Sequence, residues 1–108
     1  MKIVITESKN KIIDQFITFL IKPYTTKKTR QYRNALFWVK GDQVIAQMQP
    51  STNDFRLIDE IWSRISQMFD LDDDQTRTAI VKWLKKHYYI VGMDVDMVPS
   101  LRHVKFDD

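Results

Sequence analysis

A chain of 108 residues, 44% hydrophobic and 29% charged, has the make-up of one ordinary globular domain, and can bury roughly two-thirds of its unfolded surface without staples. Zero cysteines exclude disulfides and thiolate metal sites and fit a cytoplasmic protein. No apolar run approaches the ~18 residues a membrane span needs, the opening residues show no signal-peptide pattern, and a net charge of +3 is too small alone to argue for nucleic acid.

In chain order, Lys2 to Thr6 is β-branched and short, which predicts a brief strand. Thr6 or Ser8 then offers a hydroxyl to cap a helix. From Lys9 to Ile21 the apolar residues Ile12, Ile13, Phe16, Ile17, Phe19, Leu20 and Ile21 recur at helical spacing, and Pro23 ends the run. Tyr24 to Arg33 is polar, has no period, and reads as a loop.

Asn34–Lys40 and Gln43–Gln49 read as two strands joined at Gly41-Asp42, a two-residue hairpin loop. Pairing Lys40 with Gln43 sets Val39 opposite Val44, Phe37 opposite Ala46 and Ala35 opposite Met48, all on one apolar face. The other face pairs Trp38 with Ile45 and Leu36 with Gln47, and is half apolar.

Asp54 to Tyr89 reads as two amphipathic helices around an acidic turn. The first carries Phe55, Ile58, Ile61, Trp62, Ile65, Met68 and Phe69 on one stripe, capped by Thr52, Asn53 or Asp54. The second carries Ile80, Val81, Trp83, Leu84, His87 and Tyr88. Asp72 and Gln75 have capping-box spacing, and Asp73 and Asp74 meet the positive end of the helix dipole. Lys82, Lys85, Lys86 and His87 lie toward the other end. Gly92 closes the helical region. Val95 and Met97 alternate with Asp94 and Asp96 as in a strand, and Leu101 to Phe106 reads as a last short strand. Strands and helices do not alternate regularly, so a parallel doubly wound sheet is excluded. The expected fold is α+β: a single domain over residues 1–108, with three amphipathic helices packed on a small, mainly antiparallel sheet containing a central hairpin.

Few residues carry a recognisable chemistry. The run Asp70-Leu71-Asp72-Asp73-Asp74 starts like a calcium loop, but that loop needs glycine at its sixth position and glutamate at its twelfth, where Gln75 and Val81 stand. Helix capping accounts for the same aspartates. His87 and His103 have no neighbours at metal-ligand spacing. Ser8 and Lys11 have Ser-x-x-Lys spacing without the further motifs of that enzyme class. Gly41 and Gly92 are the only glycines, too few for a phosphate loop. A DNA-reading helix-turn-helix is excluded because Asp72, Asp73 and Asp74 would meet the phosphates. Trp62 and Trp83 sit on apolar stripes and read as core.

Two surfaces remain. The half-apolar hairpin face, Leu36, Trp38 and Ile45, reads as a protein interface, through self-association or with another protein. The segment from Gln15 to Gly41 has no acidic residue. Its Lys22, Lys27, Lys28, Arg30 and Arg33, interleaved with Tyr24 and Tyr32, read as a basic loop able to grip phosphates and stack on unpaired bases.

The opening Lys2-Ile3-Val4-Ile5-Thr6-Glu7-Ser8 resembles the start of small uncharacterised proteins encoded by marine bacteriophages and found in ocean sequence. Ile61-Trp62 through Phe69-Asp70-Leu71, and Trp83-Leu84 through His87-Tyr88, are also similar to some of them. The resemblance covers about half the chain and brings no catalytic residue with it. It implies a protein expressed inside a bacterial cell. The expectation is a non-enzymatic accessory or interaction protein without a cofactor, the alternative being a nucleic-acid-binding accessory protein that uses the basic Lys22–Lys40 segment.

Overall fold

The computed structural model of the protein describes residues 7–29 and 32–101. Helix α1 (Glu7–Ile21) leads into strands β1 (Thr25–Thr29), β2 (Tyr32–Lys40), β3 (Gln43–Gln49) and β4 (Asp54–Ile58), then α2 (Asp59–Phe69), α3 (Asp73–Tyr88) and β5 (Asp94–Val98). The five strands form one mixed sheet in chain order, β1-β2-β3-β4-β5. The first three pairings are antiparallel; β5 lies parallel to β4, with α2 and α3 between them in the chain. The strands expected at Lys2–Thr6 and at residues 101–106 lie, apart from Leu101, outside the described residues.

Two expectations are corrected. Within the segment read as a loop from Tyr24 to Arg33, Thr25–Thr29 is a strand paired with β2. Its polar side chains give no apolar period, and the strand is defined by its backbone partner. The helix expected from Asp54 begins instead at Asp59, after a five-residue strand. Phe55 and Ile58 fit helical spacing with Ile61, but Phe55 and Leu57 also alternate with exposed Arg56, and the β ladder prevails. Accordingly none of Thr52, Asn53 or Asp54 caps α2, whose N-cap is Ile58 without a side-chain bond.

The hairpin turns at Gly41, whose φ of 58° is a left-handed conformation that glycine adopts freely. Lys40 pairs with Gln43 and Val39 with Val44, and then the register slips, so that Trp38 pairs with Ala46 and Leu36 with Met48. Ile45 is the extra residue of a bulge. The slip moves Ala46 and Met48 off the face they were expected to share with Phe37 and onto the helix side. Ala35, Phe37, Val39 and Val44 form a second apolar cluster on the opposite face, with Leu101 packed against it.

The main core lies between sheet and helices. Ile13, Ile17, Leu20 and Ile21 come from α1, Ile61, Trp62 and Ile65 from α2, and Ile80, Trp83 and Leu84 from α3. They cover Trp38, Ile45, Ala46, Phe55, Leu57 and Val95 of the sheet. Trp62 and Trp83 are 2% and 3% exposed. Each indole N–H has an acceptor: Trp38 Nε1 donates to Tyr88 OH at 3.1 Å, Trp83 Nε1 to Thr18 Oγ1 at 3.0 Å, and Trp62 Nε1 to Asp73 Oδ1 at 3.4 Å. Burying these rings therefore strands no polar atom. Ile12, Phe19, Met68 and Met97 belong to apolar patterns in the sequence but stand exposed.

Between α2 and α3 the chain turns by local chemistry. Asp70 is left-handed at φ 53°, and its amide and that of Leu71 donate to the Ser66 carbonyl. Leu71 drops into the core. Asp72 and Gln75 form the full capping box, Gln75 N donating to Asp72 Oδ1 at 2.8 Å and Asp72 N to Gln75 Oε1 at 2.9 Å. Beneath it, the fully buried Thr76 hydroxyl bonds the Ser66 hydroxyl at 2.7 Å and the Asp72 carbonyl at 2.8 Å.

Candidate functional site

The interface expected at Leu36, Trp38 and Ile45 is core. Trp38 and Ile45 are 0% exposed, and Leu36 packs against them. Trp38 meets the rings of Phe55 and Tyr88 edge-on, with centroids 5.4 and 5.3 Å apart. The bulge at Ile45 and the docking of Tyr88, at the end of α3, on Trp38 bury this face.

The basic segment also changes character. Lys22 is exposed in the turn after α1. Lys27 and Lys28 are consecutive in β1, so their side chains leave opposite faces of the sheet. Lys28 shares a row with Leu36 on the helix side, and Lys27 shares one with Phe37 on the other. Arg30 and the Arg33 side chain lie outside the described residues. Strand geometry thus separates Lys27 from Lys28, which a flexible loop would have let converge.

Convergence occurs on α3. Lys82, Lys85, Lys86 and Tyr89 follow each other by threes and fours, so they share one solvent-facing stripe. The inner face of the same helix presents Thr76, Ile80, Trp83 and Leu84 to the core. Against α1 this outer stripe borders a groove of about 430 Å³ lined by Asn10, Lys11, Ile13, Asp14, Ala79, Lys82 and Lys86. A shallower depression of about 500 Å³ continues from it, lined by Lys82, Lys85, Lys86, Tyr89 and Val91. Lys82 and Lys86 border both, so the two form one surface.

That surface carries Lys11, Lys82, Lys85 and Lys86 against a single lining carboxylate, Asp14. Asp14 is already engaged. Its Oδ1 lies 3.0 Å from His87 Nε2 and 3.7 Å from Lys86 Nζ, and its side chain is 18% exposed. His87 also lies against the Trp83 ring, which holds the α1–α3 contact together. Lysines near a helix C-terminus complement the dipole whatever else they do. That explains Lys85 and Lys86 in the last turn. It does not explain Lys11 on another helix, nor the two apolar side chains displayed beyond the helix end.

Those two are Tyr89, 89% exposed, and Val91, 63% exposed. Tyr88 and Tyr89 are adjacent yet opposite in role. Tyr88 accepts the Trp38 bond and packs on Trp83, whereas Tyr89 is the C-cap of α3 with φ 57°, and its ring stands in solvent. Sequence reasoning placed the three α3 lysines only toward the far end of their helix and missed Tyr89 and Lys11. The signal was present in the stripe Lys82, Lys85, Lys86, Tyr89, and the apolar stripe that holds Tyr88 leaves Tyr89 off it.

Among the described residues no three His, Asp or Glu side chains gather as metal ligands, and no helix is long and apolar enough to cross a membrane. No protein-family profile, curated protein or solved structure matches the chain. The functional reading therefore rests on this geometry: cations around a groove, with an aromatic ring and a branched aliphatic side chain at one end. Such a surface can neutralise phosphates and offer an apolar platform to a planar group.

Proposed function

We propose that the protein is a non-catalytic accessory protein that binds nucleic acid through the outer face of α3, of the phage type its opening residues resemble. The observation that carries this reading is the continuity of Lys11, Lys82, Lys85 and Lys86 with the exposed Tyr89 on one surface. The basic alternative drawn from sequence is thereby kept and its site moved, from Lys22–Lys40 to the α1–α3 groove. Anisotropy of a labelled oligonucleotide across a salt series tests it. Binding should weaken steeply as salt rises. The combined change Lys82→Ser, Lys85→Ser and Lys86→Ser should weaken it further while the circular dichroism spectrum stays unchanged. Affinity indifferent to salt and to the triple change overturns the reading.

A second reading, self-association, is favoured by a different patch. Ile12 and Phe19 of α1 and Met68 of α2 are 55%, 67% and 59% exposed. Phe16 stacks on Phe19 and meets Phe69 edge-on, which joins the two helices under this patch. The occupant proposed is a second copy of the chain. Light scattering over a concentration series should show a dimer that Phe19→Ser dissociates; a monomer throughout rejects it.

A further inference from the structure

We infer that the α3 surface selects unpaired nucleic-acid strands, with a base stacking on the Tyr89 ring while the lysines hold the flanking phosphates. This rests on the nucleic-acid reading above and adds the class of strand.

Tyr89 occupies a left-handed C-cap, a position that glycine or asparagine fills with little strain and an aromatic residue does not. A residue held there is explained when its side chain earns its place. The Tyr89 ring is 89% exposed and contributes little burial. What the cap achieves is display: it directs the ring away from the helix and beside Val91.

The last carbonyls of α3 carry partial negative charge, so the helix end itself disfavours a phosphate. Lys85 and Lys86 offset this, and Lys11 and Lys82 extend the cationic track back along the groove. Phosphates are therefore best placed over Lys11, Lys82 and Lys86. The uncharged group next along a strand then falls over Tyr89 and Val91. In a nucleic acid that group is a base, and its face is open to stacking only when unpaired and unstacked. A duplex could use the lysines but would leave the ring idle.

The test uses the full chain with a labelled single strand of about twelve nucleotides, the matching duplex, and vesicles containing anionic lipid. The native protein should prefer the single strand. Tyr89→Gly, which relieves the backbone, should lower single-strand affinity roughly five- to hundredfold and leave duplex affinity within about twofold. Tyr89→Trp should retain or strengthen single-strand binding, and it keeps the test informative if the glycine variant folds poorly. Equal single-strand affinity in the native protein and Tyr89→Gly overturns the inference, as does a preference for duplex. Binding to vesicles with no strand preference, lost in Tyr89→Gly, assigns the ring to a lipid surface and also overturns it. Loss of salt dependence, or indifference to the triple lysine change, is a separate result and removes the underlying reading instead.

Discussion

Helices α2 and α3 end by the same backbone device and with different residues. In each, a left-handed residue closes the helix, its amide and the next one donate back to a single carbonyl, and the following apolar residue packs on the core. At the end of α2 the pair is Asp70 and Leu71; at the end of α3 it is Tyr89 and Ile90. Aspartate tolerates that conformation because its short side chain bonds locally. Tyrosine brings a large ring that the motif does not require. One junction is fully accounted for by capping chemistry, and the other carries a surplus, which is where a binding role is best sought.

Five changes break or sharpen this contrast. The largest effect should come from the inner face of α3. Trp83→Ala empties a buried site and removes the partner of Thr18, and should cost ~3–5 kcal/mol in chemical denaturation. A loss under ~1 kcal/mol would mean that the inner face is not the structural one. On the outer face, the triple lysine change should lower the slope of log affinity against log salt by about 2, one lost phosphate contact per lysine. Its denaturation midpoint should barely move. Asp72→Ala removes the side-chain acceptor of the box at the start of α3, the Oδ1 that takes the Gln75 amide, and should destabilise by ~1 kcal/mol. The smallest effects separate the two helix ends. Asp70→Gly and Tyr89→Gly should each shift stability by under ~1 kcal/mol, with the gain larger at Tyr89. Only the second should change oligonucleotide binding, and parallel titrations of the two variants would show it.

What the sequence disclosed was local chemistry. The Asp72–Gln75 box and the Gly41 turn depend on residues a few positions apart, and both are formed. Trp62 and Trp83 were legible as core because helical period and size point the same way. What stayed hidden depends on distant partners. Thr25–Thr29 has no apolar pattern and becomes a strand through β2. The bulge at Ile45 reassigns Ala46 and Met48. Trp38 was read as an interface aromatic because nothing near it announces Tyr88, fifty positions later in the chain, as its hydrogen-bond partner. The candidate site was half legible for the same reason. The lysine stripe is a local period, whereas the proximity of Lys11 and the left-handed cap at Tyr89 are products of the fold.

The parallel pairing of β5 with β4 has a consequence in time. Strands β1 to β4 each neighbour the next along the chain, so they can zip together as they leave the ribosome. The last strand must wait for both helices. When it arrives, Asn53 in the turn before β4 meets it, accepting the Asp94 amide and donating to the Gly92 carbonyl. The segment bearing Tyr89 and Val91 is thus tethered on one side by α3 and on the other by this late closure. Hydrogen exchange at Asp94 would report whether the displayed ring is carried on a latch that opens before the rest of the protein does.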